Sequence, residues 1–231
     1  MACQIKIARR FRFEHDLLQK GLTLIAGVDE AGRGPLAGPV MAAAAILPAE
    51  WIVGGMPKSL KNVNDSKQLS SEEREDLFSQ LTSDPSVRFA FASVDVGVID
   101  QINILQATHR AMNLALAQLS PPAQHALVDG LLVKSLAAPQ TAIVDGDCLS
   151  YSIAAASIIA KVTRDRFMRE MDALYPEYGF AGHKGYGTPD HLAAIQRHGP
   201  CAIHRRSFSP FRPRQADLFS DEPLGSNSSV A

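Results

Sequence analysis

The sequence has few cysteines and no long apolar run. Its three cysteines, Cys3, Cys148 and Cys201, lie far apart, without the paired spacing of a disulfide framework or a zinc knuckle. No stretch approaches the roughly 18 to 20 apolar residues of a membrane span. Residues 1–19 mix charges of both signs and lack the apolar core of a secretory signal. We therefore expect a protein of the reducing cytoplasm with no membrane partner.

The chain also lacks a strong net charge, which is −1 over 231 residues. That value is unusual for a protein that binds nucleic acid, but the charge is unevenly distributed. Residues 1–214 carry 23 basic and 21 acidic side chains, and residues 153–214 carry ten basic and five acidic ones. A local excess of positive charge is what a phosphate-facing surface requires.

The hydrophobic patterning indicates an α/β domain, and 46 % hydrophobic residues are enough for a sizeable core. Short apolar runs predict strands at residues 22–29, 39–47, 87–96, 123–129 and 141–144. Helices are predicted at residues 70–81, about 99–119, 150–174 and 189–198. Ser70, followed three residues later by Glu73, is a capping-box pattern that marks a helix start. Strands spaced like hairpins, followed by alternating strands and helices, predict a mixed sheet with helices packed on it.

Both ends of the chain are expected to lie outside the folded domain. Residues 1–20 are interpreted as a lead-in that is poorly ordered or weakly helical. From residue 210 to residue 231, Pro, Ser, Asp and Gly dominate, which is typical of a flexible tail.

Residues 27–39 carry the first candidate site. Asp29 and Glu30 end a predicted strand, and Gly32, Arg33 and Gly34 follow. Neighbouring side chains of a strand lie on opposite faces, so the chain must leave strand geometry near Glu30 if both carboxylates serve one site. The glycines allow that turn and a close approach to a ligand. Carboxylates beside exposed amides and a guanidinium suit a divalent metal next to a phosphate. The alternative is that the acidic pair only opens a turn.

Aspartates also mark the ends of two further predicted strands, namely Asp129 at the end of one and the pair Asp145 and Asp147 at the end of the other. Asp-Gly is also a common turn pair, which explains each position without a site. If three strand ends converge at one edge of the sheet, they bring together four carboxylates, and such anions repel one another unless cations are present. Oxygen ligands without His or Cys indicate Mg²⁺ or Mn²⁺. Two such ions about 3.5–4 Å apart suit phosphodiester hydrolysis.

The run Asp-Glu-Ala-Gly-Arg-Gly-Pro-Leu-Ala-Gly-Pro-Val at residues 29–40 closely resembles the N-terminal signature of bacterial ribonuclease HII. Further matches extend the resemblance over about residues 22–208. That family cleaves the RNA strand of RNA–DNA hybrids and nicks duplex DNA at embedded ribonucleotides. The resemblance implies a metal-dependent endoribonuclease that cuts 5′ of the ribonucleotide and leaves a 3′-hydroxyl and a 5′-phosphate.

The resemblance also implies a fold and a set of metal ligands. The fold is α/β, a ribonuclease H-like mixed five-stranded sheet flanked by helices. The catalytic domain is expected at residues 21–209 and includes a helical C-terminal segment at about residues 175–209. Asp29, Glu30 and Asp129 align with the most securely identified ligands of Mn²⁺ or Mg²⁺. The fourth falls on Asp147, with Asp145 as its local competitor.

Selection of a ribonucleotide requires recognition of the 2′-hydroxyl, which distinguishes RNA from DNA. By resemblance, the backbone of Gly32, Arg33 and Gly34 reaches this hydroxyl. Tyr186 matches the family tyrosine that stacks on the sugar after the ribonucleotide. Without the resemblance, a tyrosine in a glycine-rich loop is simply a surface cover.

Two further segments are expected near the phosphates. Ser66 and Lys67 match a motif that lies near the scissile phosphate, although the same residues also suit an Asx-turn before a helix. The basic residues at 204–208, together with Arg212, are expected to contact the phosphate backbone.

In the tail, Gln215, Leu218 and Phe219 resemble the pentapeptide by which bacterial replication proteins dock on the sliding clamp. Two apolar anchors from a disordered segment can fill a pocket in this way. The chain is otherwise expected to be a monomer.

Two alternative functions remain open. One is a related hybrid nuclease without preference for the DNA–RNA–DNA junction. The other is a non-catalytic hybrid-binding protein tethered to the clamp. It is disfavoured because no carboxylate of the proposed set is replaced by an amide or an apolar residue.

Overall fold

The computed structural model describes residues 10–64 and 66–211. Its central sheet contains the strands β1 (Ile25–Ala31), β2 (Val40–Ile46), β3 (Arg88–Val94), β4 (His125–Asp129) and β5 (Gln140–Ile143). They lie in the order β3-β2-β1-β4-β5. Pairing is antiparallel between β3, β2 and β1, and parallel between β1, β4 and β5. The predicted mixed five-stranded sheet is confirmed.

Helices flank the sheet. They are α1 (Arg12–Leu18), α2 (Ala49–Gly54), α3 (Ser71–Ser83), α4 (Val96–Ala117), α5 (Gly146–Leu149), α6 (Tyr151–Leu174), α7 (Phe180–His183) and α8 (Pro189–His198). The predicted helices correspond to α3, α4, α6 and α8. The predicted capping box of α3 is confirmed, because Ser70 and Glu73 each donate an amide hydrogen bond to the other's side chain. Helix α4 begins before the predicted residue 99, since Asp95 caps it by accepting from the Val98 amide.

The sheet separates two apolar layers because side chains alternate between the faces of a strand. Ile25, Leu127 and Ile143 lie in the layer that includes α6, whereas Val28 and Val128 lie in the layer that includes α4. Each fully buried aliphatic side chain of this kind contributes about 1.5–3 kcal/mol to folding. Sequence patterning predicts these strands well because buried strands are short, branched and apolar.

Gly27 determines how closely α6 approaches β1. A Cβ atom at this position would lie 2.0 Å from the carbonyl carbon of Ser152, which is far inside van der Waals contact. The first turn of α6 therefore lies directly on the backbone of β1, two residues before Asp29. This contact places the start of α6 beside the edge of the sheet where the candidate carboxylates lie.

The C-terminal part is helical, as the resemblance implies. Its small core contains Ala37, Met168, Tyr178, Phe180 and Ile195. Because Ala37 belongs to the loop between β1 and β2, this core attaches the C-terminal helices to the Gly-Arg-Gly stretch.

Residues 10–20 differ from the expected lead-in. Helix α1 packs on the domain with Phe11, Glu14 and Leu17 buried, and the Phe11 ring lies 4.8 Å from that of Tyr151. A helix of seven residues is too short to show a clear periodic pattern, so its packing decides its formation. The expected tail lies outside the described residues from residue 212 onward. No helix in the described ranges is long and apolar enough to cross a membrane.

Candidate active site

The parallel strands β1 and β4 bring two candidate carboxylates to one edge of the sheet. Val28 pairs with Val128 in the register, and Asp29 and Asp129 are the next residues on the two strands. Asp129 is the last residue of β4, and its Oδ1 accepts a hydrogen bond from the Gly146 amide at 2.7 Å. The topology of the sheet therefore unites residues that are far apart in the chain.

The third strand end presents Asp147 and Asp145 differently. Asp145 is exposed and has a left-handed φ of 54°, whereas Asp147 is buried in α5. Oδ2 of Asp147 lies 3.8 Å from Nζ of Lys67. Its backbone carbonyl accepts a hydrogen bond from Nη2 of Arg10 at 2.9 Å. These positions favour Asp147 over Asp145 as the candidate ligand.

Strand β1 ends one residue after Glu30. Glu30 still pairs with Ala42 of β2 and Ala31 with Met41, so the chain leaves strand geometry immediately after this pair of carboxylates. The chain turns at Gly32, which has a φ of 92°. Asp29 therefore lies on the α6 face and is buried, and Glu30 faces a cleft beside α4.

Three carboxylates at this edge affect one another electrostatically. Burial raises the pKa of Asp29 well above its ordinary value, and the negative charges of Glu30 and Asp129 raise it further. Burial also raises the pKa of Glu30, an effect that Arg33 opposes and Asp129 reinforces. A hydrogen bond from Ser157 on α6 partly offsets the shift of Asp29. Full ionisation of this edge is therefore unfavourable unless a cation is present.

The carboxylates have partners within the protein. Oδ1 of Asp29 accepts from the Glu30 amide at 2.7 Å, and Oε1 of Glu30 lies 3.2 Å from Nη1 of Arg33. Within residues 10–64 and 66–211, no three His, Cys, Asp or Glu side chains are arranged as ligands of one metal ion. The oxygen donors nevertheless fit Mg²⁺ or Mn²⁺ chemically. A divalent cation would also offset the repulsion that raises the pKa of Asp29.

A cleft of about 510 Å³ opens beside Glu30 on the α4 side of the sheet. Its lining includes Glu30, Arg33, His109, Asp129, Leu131 and Lys134. Acidic groups lie next to basic and imidazole groups along this wall. The cleft can therefore hold an anionic ligand next to the carboxylate edge.

Ser66 lies behind the carboxylates. It is buried, and its hydroxyl lies 2.9 Å from the hydroxyl of Ser157, which in turn bonds Asp29. Ser66 is therefore linked to Asp29 through Ser157. The side chain of Lys67, by contrast, is 79 % exposed and points toward Asp147.

The Gly-Arg-Gly stretch lies against the loop that carries Tyr186. A Cβ atom at Gly34 would lie 3.6 Å from Cε1 of Tyr186, and the Leu36 amide donates to the Gly185 carbonyl at 2.8 Å. The side chains of Arg33 and Tyr186 are both accessible to solvent. The two predicted substrate-binding elements are therefore neighbours.

Two buried arginines, Arg164 and Arg205, lie beneath the Gly-Arg-Gly stretch, and sequence patterning did not identify Arg164 as a functional candidate. The expected phosphate contact is wrong for Arg205, because its guanidinium is enclosed, whereas Arg206 is exposed. No local signal separates these adjacent arginines, since their burial depends on a loop distant in sequence. The predicted residues Arg212, Gln215, Leu218 and Phe219 lie outside the described residues.

The chain is similar to known proteins over most of its length. The family model described as Ribonuclease HII matches residues 26–210. Ribonuclease HII of Geobacillus thermodenitrificans is 52 % identical over 201 residues, covering 87 % of this chain and 74 % of that protein. Ribonuclease HII of Ruminiclostridium cellulolyticum is 50 % identical over 203 residues, covering 88 % of this chain and 76 % of that protein.

A solved structure extends the comparison to the fold. The crystal structure of ribonuclease H2 from Pyrococcus horikoshii OT3 has a TM-score of 0.67 and 29 % sequence identity. The match covers 81 % of this chain and 95 % of that one. The family match and the identity over most of the chain show that this chain belongs to the ribonuclease HII family and is a ribonuclease H hydrolase.

Proposed function

We propose that the protein is a divalent-metal-dependent endoribonuclease that cleaves the RNA strand of RNA–DNA hybrids and nicks duplex DNA 5′ of embedded ribonucleotides. The observation that carries this proposal is that β1 and β4 bring Asp29, Glu30 and Asp129 to one sheet edge, where burial and the neighbouring negative charges raise the pKa of Asp29 and of Glu30. Perturbed carboxylates beside a cleft are typical of a catalytic site. The products would have a 3′-hydroxyl and a 5′-phosphate, which suits removal of ribonucleotides and primers from DNA.

The proposed metal ligands are Asp29, Glu30, Asp129 and Asp147. When bound, Mg²⁺ or Mn²⁺ activates water and neutralises the leaving oxygen in phosphodiester hydrolysis. The protein holds the Asp29 carboxylate with a hydrogen bond from Ser157 and the Asp129 carboxylate with the Gly146 amide. These bonds leave Asp29 and Asp129 little freedom to turn away from the sheet edge.

The proposed substrate path crosses the Gly-Arg-Gly loop. The accessible guanidinium of Arg33 suits a phosphate oxygen, and the backbone of Gly32 and Gly34 can come close to a ribose. Tyr186 is accessible beside this loop and can stack on the next sugar. Lys67 is exposed near Asp147 and suits the scissile phosphate.

Product mapping tests this function. A duplex with one ribonucleotide and a uniform RNA–DNA hybrid are incubated with Mg²⁺, with Mn²⁺ and with chelator. We expect cleavage of both with either metal, a single cut 5′ of the lone ribonucleotide, and no cleavage with chelator. Undiminished cleavage in chelator, or cuts confined to the uniform hybrid, would contradict the proposal.

Docking on a sliding clamp through Gln215, Leu218 and Phe219 stays a separate proposal, as do a monomeric state and a cytoplasmic location. Two apolar anchors in a tail segment suit a clamp pocket. A pull-down with the clamp compares the intact protein with the Leu218→Ala, Phe219→Ala double variant. Equal retention of both proteins would remove the clamp proposal.

A further inference from the structure

Arg164 and Arg205 are the largest fully buried side chains of the described residues. Within the described ranges, neither guanidinium forms an ion pair with a carboxylate. All six of their hydrogen bonds go to backbone carbonyls. A buried cation is costly unless such bonds compensate its lost hydration. Two buried cations beneath the Gly-Arg-Gly loop, a candidate phosphate site, therefore suggest a function beyond folding.

Arg205 bonds the Gly-Arg-Gly backbone directly. Its Nη2 donates to the Gly32 carbonyl at 2.6 Å, its Nη1 to the Arg33 carbonyl at 2.9 Å and its Nε to the Gly38 carbonyl at 2.9 Å. The Arg205 amide also donates to the Leu36 carbonyl at 2.9 Å. One planar guanidinium therefore fixes three peptide groups of the loop at once.

These bonds decide where the loop's amides point. In a trans peptide the C=O and the following N–H point in opposite directions. Arg205 holds the carbonyls of Gly32 and Arg33, so the amides of Arg33 and Gly34 point away from the buried guanidinium. Neither amide donates a hydrogen bond to any described residue. Two consecutive free amides of this kind suit a hydroxyl or phosphate oxygen.

Arg164 joins the same loop to its neighbour. Its Nη2 and Nε donate to the carbonyls of Ala37 and Pro39, and its Nη1 donates to the Lys184 carbonyl, each at 3.1 Å. The side chain runs directly under Gly32, where a Cβ atom would lie 2.0 Å from its Nε. Any side chain at Gly32 would displace Arg164 and disturb both loops.

The two guanidiniums also place positive charge beneath the loop. Burial, together with the like charge of Arg164, lowers the pKa of Arg205 to about 9. Arg205 therefore stays protonated at neutral pH. Burial likewise lowers the pKa of Arg164. Positive charge under two outward amides strengthens their attraction for an anionic backbone.

We propose that Arg205 is a positioning residue for ribonucleotide specificity. It holds the carbonyls of Gly32 and Arg33 so that the amides of Arg33 and Gly34 face the ribose 2′-hydroxyl. Arg164 keeps this loop in register with the loop of Tyr186. This inference rests on the proposed function, because it assigns Arg205 a role in recognising the ribonucleotide at the same site.

The test compares Arg205→Lys with the matched control Arg206→Lys. Lysine keeps the charge but lacks the planar fork that spans two carbonyls. Dissociation constants are measured, with Ca²⁺ in place of Mg²⁺ to avoid turnover, for a duplex with one ribonucleotide and for the same duplex in all-DNA form. We expect Arg205→Lys to reduce the preference for the ribonucleotide about tenfold, the equivalent of roughly 1.4 kcal/mol.

The affinity for all-DNA duplex should change little in Arg205→Lys, because phosphate contacts supply most of it. Arg206→Lys should keep the wild-type ratio of the two dissociation constants. A simple loss of folding would weaken both duplexes equally, so the ratio separates positioning from stability. A wild-type ratio in folded Arg205→Lys, or no preference in the wild-type protein, overturns the inference.

A second measurement needs no variant. Amide resonances of Arg33 and Gly34 are followed by NMR as each duplex is added to the wild-type protein. We expect both to shift with the ribonucleotide duplex and much less with all-DNA duplex. Equal shifts contradict the inference even if Arg205→Lys does not fold. Wild-type protein that cleaves neither RNA-containing substrate refutes the proposed function itself, whereas cleavage with equal shifts refutes only the role of Arg205.

Discussion

The negative charge of Asp129 acts on both neighbouring carboxylates, Asp29 and Glu30. It raises the pKa of Asp29 and of Glu30, and its own Oδ1 accepts from the Gly146 amide. An asparagine at this position keeps an acceptor for that amide while it removes the charge. The substitution Asp129→Asn therefore removes the repulsion with Asp29 and Glu30 while it keeps the hydrogen bond from the Gly146 amide.

We expect Asp129→Asn to lower cleavage by about 10²-fold or more, because a metal site contributes several kcal/mol to the transition state. Without divalent metal, the same variant should be more stable than the wild type, since repulsion with Asp29 and Glu30 is relieved. A gain of about 1 kcal/mol would raise the melting temperature by ~2–4 °C in a domain of this size.

Thermal unfolding in chelator and turnover in Mg²⁺ check both effects of Asp129→Asn. Binding of the hybrid should survive in the variant. Undiminished turnover would defeat the assignment of Asp129 as a ligand, and a lower melting temperature would show that the repulsion is not the dominant effect.

Helix α1 is the element that holds the start of α6. Oε1 of Glu14 accepts from the Ser150 hydroxyl at 2.5 Å and from the Ser152 amide at 3.1 Å. Burial raises the pKa of Glu14, and its Oε2 has no hydrogen-bond partner among the described atoms. Arg10, just before α1, bonds the carbonyl of Asp147, so this end of the chain also reaches the candidate site.

Glu14→Ala should cost about 1–3 kcal/mol of unfolding free energy, because the Ser150 hydroxyl and the Ser152 amide lose their buried acceptor. Glu14→Gln keeps an acceptor oxygen and should cost clearly less. Urea unfolding of the two variants, followed by circular dichroism, measures the difference. Equal losses would indicate that packing volume, and not the hydrogen bonds, sets the contribution of Glu14.

The C-terminal helices depend on neutral histidines. Nε2 of His191 lies 3.0 Å from Nε2 of His204, and burial lowers the pKa of both. For His204 the pKa falls from 6.5 to about 4, with the charges of His191, Arg206 and His183 adding to the effect of burial. The Cys201 amide donates to Nδ1 of His204, which keeps that nitrogen an acceptor.

Stability should therefore fall as the pH decreases from about 6.5 toward 4. The unfolded chain binds a proton in this range while the folded protein keeps His204 neutral. Urea midpoints measured at pH 7, 6 and 5 test this expectation. His204→Gln should show a shallower dependence on pH, whereas an identical slope in the variant would place the titrating group elsewhere.

At the scale of the whole molecule, the candidate ligands come from β1, β4 and the start of α5. A divalent cation bound there connects segments that lie far apart in the chain. Ligands that bind only the folded state stabilise it by mass action, about 2.7 kcal/mol at a hundredfold excess over Kd. Metal binding should therefore be measurable, without any substrate, as an increase in the stability of the folded protein.

We expect Mn²⁺ to raise the melting temperature of the wild-type protein, by ~5–10 °C at saturating concentration. Chelator should reverse the shift, and Asp129→Asn should show little or none. Differential scanning fluorimetry across a Mn²⁺ series provides the measurement. The same shift in both proteins would mean that the stabilising ion binds at another position.

The strands, the long helices and the family can be predicted from the amino-acid sequence alone. Buried strands such as β1 and β4 appear in the sequence as short apolar runs. The capping box of Ser70 and Glu73 involves residues only three positions apart. The signature at residues 29–40 includes two of the candidate ligands, Asp29 and Glu30. These features depend on neighbours in the chain, so local patterns are sufficient to predict them.

Which side chains are enclosed, and which groups they bond, depends on the packing of the folded chain. Arg205 and Arg206 are adjacent and identical in type, yet one is buried under the Gly-Arg-Gly loop and the other is exposed. Ser66 bonds Ser157, and Glu14 accepts hydrogen bonds from Ser150 and Ser152 at the start of α6, across separations that no local pattern encodes. Burial and long-range hydrogen bonds depend on the packing of distant segments. Local sequence patterns therefore cannot predict the roles of these residues.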